Sequence, residues 1–575
     1  MKKTALSLLA FASAAVTASS QSVEDGVKLL YYQKNTSAIA ALKKAVADKP
    51  KDPLAIYWLG QAYIANDVAG KVYLDSAKSL YQAKLTEGVN DPWLWIGMGH
   101  VELLTGGDLN AAKQKFEQAI TTTTPTKGKH KNEENIDVLN AIGRANADGS
   151  SKEGDAQYGI DKLKRAVELM KADEKTKPNP DVYINLGTCY LKQGSDKGGE
   201  AVEAFREAFT ADPANAQAAF RIGRIYQSQN NLESMNEWYG KAIAADAAFA
   251  PVYIAYFNYY KERDVNAAKE YLDKYVANAD QDCETDFFVA DYLFRAGKYQ
   301  ESLQRGQAME AGPCKDFPKV QALYAFNYLR LNDSVKAKAA IEKYFTVADP
   351  ALIEPEQYVL GGSVLKKFPG SEDAAASYFK KAQELDTALV NRIKYQDSIV
   401  SVYRKTKDSI KILDAVYTGF KMTPSPTNRD IFDLGDAALK AKKLDLSDSA
   451  YTLYIEKYPD QPYGYIGRVK VAQARDTTGA AAIGPMNNYI SFLMKDTVKN
   501  GSTIGYYYAL MGGYYANYAS NLDSSILMFE KAVQYDPANS QYPAFLKQLT
   551  DARDKANRPR TQPAAKPKKA ASGKK

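Results

Sequence analysis

YINLGTCY, residues 183–190, and FRIGRIY, residues 220–226, open two successive copies of one helical pattern. Each copy begins with a large residue, continues with an aliphatic residue and a glycine, and then places a tyrosine. An apolar, an aromatic, a small and a helix-ending position follow at the same spacing in both copies: Ala201, Phe205, Ala208 and Pro213, and then Met235, Tyr239, Ala242 and Ala247. The sequence therefore predicts the same hairpin of two helices twice in succession.

Each position in this pattern has a packing role. Gly187 and Gly223 remove a side chain where the first helix of a hairpin crosses the second, which lets the two helices approach closely. Phe205 and Tyr239 are expected to fill the space between one hairpin and the next. Pro213 cannot continue a helix and starts the turn into the following unit. Because one hairpin cannot bury its own apolar faces, the copies must stack.

The order and spacing of these residues resemble the tetratricopeptide repeat. Partial copies follow one another along almost the whole chain, although residues 391–421 give only amphipathic periodicity. The resemblance implies an all-α fold, a right-handed α-solenoid of about 13–14 hairpins with a C-terminal capping helix at roughly residues 540–556. It also implies a binding scaffold with no chemistry of its own, whose ligands meet the concave surface lined by the first helices.

The N-terminus predicts export. Lys2 and Lys3 precede an apolar stretch and small residues, which is typical of a secretory signal peptide over residues 1–20. No cysteine follows this stretch as a lipid attachment site, and no later run is apolar enough to cross a bilayer. We therefore expect a periplasmic or secreted protein.

The mature chain is expected to divide at the polar segment 421–429, with a second possible hinge at the loop 121–136. This division predicts an N-terminal solenoid over residues 21–420. A C-terminal solenoid and the capping helix would then occupy residues 430–556.

Positive charge is concentrated in a C-terminal tail, residues 557–575. The tail has seven basic residues and no acidic one, which equals the net charge of +7 of the whole chain, so the repeats are close to neutral. Because a nucleic-acid-binding protein carries its basic charge on a folded surface, nucleic acid is not an expected partner. The Pro, Ala and Lys composition predicts disorder. The tail either aids solubility or contacts an anionic envelope polymer.

The chain offers no recognisable catalytic, cofactor or metal site. It has only two histidines, of which His100 takes the tyrosine position of a repeat and His130 lies in a polar loop. Neither has a nucleophile or a metal-ligating partner at a usable spacing. No phosphate-binding loop is present. The sequence therefore predicts a protein that is not an enzyme and needs no cofactor.

Five residues of two neighbouring copies are expected to line the binding groove, because they fall on the exposed face of first helices: Phe220, Arg224, Gln227, Asn258 and Lys261. These residues do not reproduce the clamp that some members of the resembled family use for C-terminal carboxylates. The alternative is that they are ordinary solvated positions.

Two cysteines are placed to form a disulfide. Cys283 precedes the first helix of one hairpin and Cys314 follows the second, so both should lie at the same end of that unit. An exported protein folds where disulfides persist, and a bridge requires Cα atoms within about 7 Å. Cys189 is expected to be a buried apolar residue.

Asp followed by Ser or Thr and then by Ala, Ile, Val or Thr occurs eight times. The motif resembles the O-glycan acceptor of exported proteins in the Bacteroidota, and its hydroxyl residues are Ser76, Ser334, Thr387, Ser398, Ser409, Ser449, Thr477 and Thr497. The structural alternative is that Asp and Ser favour helix starts.

Two functions follow from these patterns. The first is an exported scaffold that binds envelope proteins through its groove. The second is a glycan or peptidoglycan binder that uses surface tyrosines and the basic tail. The chain has 41 tyrosines, and their location distinguishes the two, because rings buried between hairpins favour the first and rings exposed together favour the second.

Overall fold

The computed structural model describes residues 22–66, 72–173 and 175–558. Within these ranges the chain forms helices and turns and no strand, and 29 α-helices pair in chain order into fourteen hairpins and one final helix. The predicted all-α solenoid is confirmed. The expected signal peptide and residues 559–575 of the basic tail lie outside the described residues.

Close packing divides the chain into two compact units, the first ending at Ile353 and the second beginning at Glu354. The first unit contains nine hairpins and two short 3-10 helices, Ser195–Lys197 and Pro350–Leu352. Its helices are α1 (Val23–Tyr31), α2 (Asn35–Asp48), α3 (Pro53–Ala65), α4 (Val72–Thr86), α5 (Pro92–Leu104), α6 (Leu109–Thr123), α7 (Ile136–Ala147), α8 (Ala156–Ala172), α9 (Pro180–Gln193), α10 (Gly198–Ala211), α11 (Ala216–Ser228), α12 (Leu232–Ala245), α13 (Ala250–Tyr260), α14 (Val265–Asn278), α15 (Cys283–Arg295), α16 (Tyr299–Ala311), α17 (Lys319–Arg330) and α18 (Ser334–Val347).

The second unit contains five hairpins and the last helix. Its helices are α19 (Pro355–Leu365), α20 (Glu372–Leu385), α21 (Leu389–Tyr403), α22 (Ser409–Met422), α23 (Asn428–Lys440), α24 (Leu444–Lys457), α25 (Tyr463–Arg475), α26 (Ile483–Leu493), α27 (Thr497–Asn517), α28 (Leu522–Tyr535) and α29 (Gln541–Asn557). Only Tyr542 of α29 is buried, and Phe545 packs on Phe529 of α28 with ring centroids 5.7 Å apart. This helix occupies the place of the predicted cap.

The division between units differs from the domain boundary expected from the sequence. The polar segment 421–429 joins α22 to α23, which pack against each other inside the second unit. Leu413 and Val416 of α22 share a buried apolar cluster with Leu434 of α23. A polar connection can therefore link two hairpins without interrupting their common core.

The repeat glycines allow close helix crossing, as the sequence indicates. A Cβ atom at Gly187 would lie 2.6 Å from the Phe205 ring, and a Cβ at Gly223 would overlap the ring of Tyr239. Both aromatic side chains are fully buried. Each second helix therefore inserts its aromatic ring over the glycine of the first.

Many first helices start with the same local signal. Asp52, Asp91 and Asn179 each precede a proline at the first helical position. Each side-chain oxygen accepts a hydrogen bond from the backbone N–H two residues further on. These caps satisfy backbone donors that have no partner inside the helix, and so they set where the helices begin.

Cys283 and Cys314 form a disulfide across the open end of the α15–α16 hairpin. Their Cα atoms are 5.5 Å apart, inside the distance that the sequence argument required. Cys189 is a buried free thiol, and burial raises its pKa to about 12.

The N-terminal hairpin, α1 and α2, contacts hairpins far along the first unit. The Tyr31 hydroxyl accepts a hydrogen bond of 2.9 Å from the backbone N–H of Ala216, at the start of α11. Its ring lies 5.3 Å, centroid to centroid, from Phe249, which precedes α13.

Three further hydrogen bonds complete this contact, which we call the N-terminal clasp and define by Tyr31, Tyr32 and Ser37. The Tyr32 hydroxyl donates to Asp246 at 2.8 Å. Ser37 donates to Asp280 from its backbone N–H at 3.1 Å and from its hydroxyl at 2.6 Å. The first hairpin therefore closes one side of the surface that the first helices line.

No helix within the described ranges combines the length and the apolar character needed to span a membrane.

Candidate binding cavity

The first helices of the first unit surround a cavity of about 730 Å³. Most lining residues come from the end of α1, from α3, α7, α9, α11 and α13, and from the start of α15, and others come from the start of α2, from α14 and from the α14–α15 connection. This volume lies inside the range of about 300–1,000 Å³ that ligand pockets occupy. The cavity is therefore the main candidate for a binding site in this unit.

The lining follows a register set by the repeat glycine. Trp58 and Gln61 stand two residues before and one residue after Gly60, and Asn185 and Thr188 have the same relation to Gly187. Positions three apart share one face of a helix. The glycine faces the second helix of its hairpin, so the positions two residues before it and one residue after it line the cavity.

Arg144 of α7 is held on the cavity wall by three neighbours. Its guanidinium lies 4.7 Å from the ring centroid of Trp58. It also lies 3.6 Å from a carboxylate oxygen of Asp181 and 3.5 Å from the Tyr57 hydroxyl, to which it donates. Stacking on an aromatic face and pairing with a carboxylate are the contacts that guanidinium groups favour.

Arg221 of α11 differs from Arg144. It lines the cavity and is partly buried, and no hydrogen bond or ion pair of its guanidinium is found in the described part of the chain. Burial, and then the positive charge of Arg224, lower the pKa of Arg221, while Asp148 opposes this shift. An arginine nevertheless stays charged under ordinary conditions.

A polar chain connects the core to the cavity through His100. The His100 Nδ1 lies 3.2 Å from Oε1 of Gln61, and its Nε2 lies 3.3 Å from Oδ2 of Asp148. Burial opposes ionisation of Asp148, but the contact with His100 lowers its pKa to about 2. Gln61 in turn donates to the hydroxyl of Tyr81. His100 therefore orients the Asp148 carboxylate at the cavity edge.

The part of the lining just before and at the start of α15, which we call the acidic wall, carries three carboxylates: Asp280, Asp282 and Glu284. Asp280 accepts both hydrogen bonds from Ser37. Asp282 caps α15 by accepting from two backbone N–H groups. Glu284 lies 3.2 Å from the Lys319 ammonium. Each of these carboxylates already has a partner within the protein.

The expectation that Phe220 lies exposed in the groove is wrong. Its side chain is 8% exposed and packs between hairpins, with ring centroids 5.6 Å from Tyr239 and 5.6 Å from Phe249. Phe220 stands three residues before the repeat glycine. One residue turns a helix by about 100°, so the cavity side of α11 is marked by Arg221 instead.

The other four expected groove residues lie outside the cavity lining. Arg224 and Asn258 are exposed, and Lys261 is partly buried at the end of α13. Gln227 accepts a hydrogen bond of 2.7 Å from the Tyr239 hydroxyl. The cavity residues Arg144 and Arg221 were not predicted from the sequence. Their positions, one residue after Gly143 and two residues before Gly223, are the positions that line the cavity in α3 and α9.

The eight candidate acceptor hydroxyls fall in three environments. Three are exposed in turns or at a helix start: Thr387, Thr477 and Thr497. Two begin helices and are partly buried: Ser334 and Ser409. Three lie inside helices: Ser76, Ser398 and Ser449.

No cluster of His, Cys, Asp or Glu able to hold a metal ion occurs among the residues that the structure describes. His130 pairs with Glu133 in an exposed loop, at 2.7 Å.

Residues 216–249, which form α11, α12 and the approach to α13, match the family model for the tetratricopeptide repeat. The chain therefore contains a tetratricopeptide repeat at these residues. Its glycine crossings, its buried second-helix aromatics and its cavity lined by first helices are the features of such repeats in this chain.

Curated relatives match parts of this chain. It is 30% identical over 106 residues to the type IV pilus assembly protein PilF of Pseudomonas aeruginosa, covering 18% of this chain and 41% of that one. It is 36% identical over 78 residues to a probable UDP-N-acetylglucosamine–peptide N-acetylglucosaminyltransferase, SPINDLY, of Arabidopsis thaliana, covering 14% of this chain and 8% of that one. The chain thus spans less than half the length of these relatives.

Among solved structures, a tetratricopeptide repeat protein from Parabacteroides merdae is 21% identical to this chain. It covers 43% of this chain and 92% of its own, with a TM-score of 0.35.

Proposed function

We propose that this protein is a scaffold without catalysis of its own, which binds other proteins of the cell envelope in the cavity of its first unit. The observation that carries the proposal is the convergence of first helices on one cavity with aromatic, amide and charged side chains. Repeat proteins keep the packing positions and vary the lining, so partner choice belongs to these side chains.

The position of the tyrosines supports protein binding over glycan binding. Among the largest side chains that are fully buried, five are tyrosines: Tyr57, Tyr81, Tyr239, Tyr451 and Tyr454. Packing between helices therefore accounts for these five rings, which are not available to a glycan. A glycan platform needs exposed rings. The cavity is lined by the rings of Tyr32, Trp58 and Tyr275, and the Trp58 ring already carries the stacked guanidinium of Arg144.

The envelope location rests on the sequence. The basic start, apolar stretch and small residues before Gln21 support secretion across a membrane, into the periplasm or beyond. The basic tail supports a second, electrostatic contact with an anionic envelope polymer.

Affinity capture with crosslinking tests the proposal. The tagged chain from Gln21 is recovered from intact envelopes with and without residues 559–575, and captured proteins are identified by mass spectrometry. A discrete set of proteins, crosslinked to α3, α7, α9 or α11 in both forms, is the expected result. If glycan or cell wall is captured instead, and this capture is lost when the tail is removed, the scaffold proposal is wrong and the protein binds an envelope polymer.

We also propose that the exposed acceptor motifs carry O-glycans. Thr387, Thr477 and Thr497 are exposed and outside helix interiors, so a transferase can reach them. Glycopeptide mass spectrometry of the native protein should find these sites occupied before Ser76 or Ser398, which are partly buried inside helices. If the peptides that contain these three threonines are all unmodified, the recurrence of the motif is explained by the preference of Asp and Ser for helix starts.

A further inference from the structure

Arg221 carries a charge that no contact within the described residues neutralises. A partly buried cation is costly unless it is paired, because protein surroundings solvate charge less well than water. Arg144, which also lines the cavity, is paired with Asp181 and stacked on Trp58. The Arg221 guanidinium therefore has five donors in a position where a ligand can meet them.

The surroundings of Arg221 fit a peptide better than a small free anion. Gln217, one helical turn earlier, and Asn185 of α9 line the same cavity and can bond to a peptide backbone. Ile184 and Ile254 add apolar surface for side chains. The volume of about 730 Å³ exceeds what a single small anion fills.

The acidic wall limits the charge of such a peptide. Asp280, Asp282 and Glu284 face the same cavity, and like charges repel. A ligand with many negative charges is therefore disfavoured, whereas a ligand with one carboxylate on the α11 side is accommodated.

We propose that the cavity of the first unit binds a peptide segment that presents one Asp or Glu side chain to the Arg221 guanidinium. The paired carboxylate accepts two parallel N–H bonds, the geometry in which guanidinium and carboxylate match. This inference rests on the proposed scaffold function and adds the chemistry of the partner.

A displayed peptide library tests this assignment. Random nine-residue peptides, fixed in glycine and serine at both ends so that no chain terminus is free, are selected on the full chain from Gln21. The same selection is made on Arg221→Gln and on the matched control Arg224→Gln, since Arg224 is exposed on the same helix and outside the cavity lining. Circular dichroism and thermal melting establish that each variant is folded.

The expected result is one enriched Asp or Glu position with the unaltered chain and with Arg224→Gln, and its loss with Arg221→Gln. A selected peptide and its Gln counterpart, titrated by fluorescence anisotropy, should differ in affinity about tenfold or more, and this difference should vanish in Arg221→Gln.

The contrary outcomes separate the inference from the proposed function. Enriched peptides without an acidic position, or an acidic preference that survives Arg221→Gln, overturn the inference and leave the scaffold standing. Enrichment of peptides that bind only with a free C-terminal carboxylate, in a parallel library open at that end, also overturns it. If the selection enriches no peptide, the inference is overturned. If envelope capture also recovers no protein, the proposed scaffold function is overturned with it.

Discussion

At the scale of single residues, the two arginines of the cavity lining are expected to behave in opposite ways. Arg144 stacks on Trp58 and pairs with Asp181, whereas Arg221 has no direct partner in the described chain. Removing a paired, partly buried charge leaves its carboxylate partner unsatisfied, but removing an unpaired charge relieves a desolvation cost.

Arg144→Gln should therefore lower the free energy of unfolding by about 1–3 kcal/mol, and Arg221→Gln should leave it unchanged or raise it. Thermal melts of both variants beside the unaltered protein measure this. Equal destabilisation by the two substitutions would mean that Arg221 has a structural partner in the folded protein.

The contact between His100 and Asp148 predicts a pH dependence. The pKa of Asp148 is lowered from 3.8 to about 2 in the folded chain, so its stabilising contribution is present above pH about 4 and is lost as the pH falls towards 2. Half of the Asp148 side chain is exposed at the cavity, so solvent weakens this contribution.

In His100→Gln the loss of stability between pH 4 and 2 should be smaller than in the unaltered protein. Melting temperatures at intervals across this range provide the comparison, with His130→Gln as the control because His130 lies in an exposed loop. Identical pH profiles for His100→Gln and the unaltered chain would contradict the assignment of the shift to this contact.

At the scale of helices, the disulfide stabilises one hairpin. Cys283 and Cys314 are separated by 31 residues, and closing a loop of that length in the unfolded chain contributes about 3–4 kcal/mol in the chain-entropy account. Reduction, or Cys283→Ser with Cys314→Ser, should lower the melting temperature and speed amide exchange in α15 and α16 first.

Thiol labelling controls this experiment. After reduction of the folded protein, a maleimide should modify the two released cysteines and leave Cys189 unmodified, because Cys189 is buried and its pKa is raised to about 12. Unchanged melting and exchange after complete reduction would show that packing alone holds the hairpin.

At the scale of the whole first unit, the N-terminal clasp joins hairpins that are distant in the chain. Tyr32 and Ser37 bond to Asp246 and Asp280, which lie 214 and 243 residues further on. Repeat stacks are held mainly by neighbouring hairpins. A contact across many hairpins therefore adds a constraint that a simple stack lacks.

The double variant Tyr32→Phe, Ser37→Ala should increase amide exchange in α1 and α2 several-fold and lower the affinity for peptides bound in the cavity. Ser79→Ala, an exposed position on α4, is the matched control. Exchange that stays at the control rate would show that the clasp adds nothing to local packing in α1 and α2.

Much of the fold could be predicted from the sequence, because the contacts of each repeat join residues that are close together in the chain. The glycine, the aromatic residue and the helix-ending position recur within about 34 residues, and each contact they predict lies inside one hairpin or between neighbours. The Phe205–Gly187 crossing is an example. The disulfide could be anticipated for the same reason, since both cysteines flank one hairpin.

The cavity could be anticipated only as a concave surface of first helices. Phe220 was assigned to it, although a shift of one residue along α11 leads to Arg221 and rotates the side chain by about 100°. The register of Trp58, Asn185 and Arg221 relative to the glycine would have identified the cavity stripe. That register became meaningful only when the packing side of each helix was known.

The sequence by itself determined that this chain is a stack of helical hairpins, because the spacing of glycine, tyrosine and alanine within each repeat decides which faces must be buried. Only the tertiary structure decided that the cavity is closed on one side. The bond between Tyr31 and Ala216 spans 185 residues, and it depends on the rotation accumulated over many hairpins. No local spacing encodes this accumulated rotation. The tertiary structure also decided that Arg221 lines the cavity with no hydrogen-bond or ion-pair partner among the described residues.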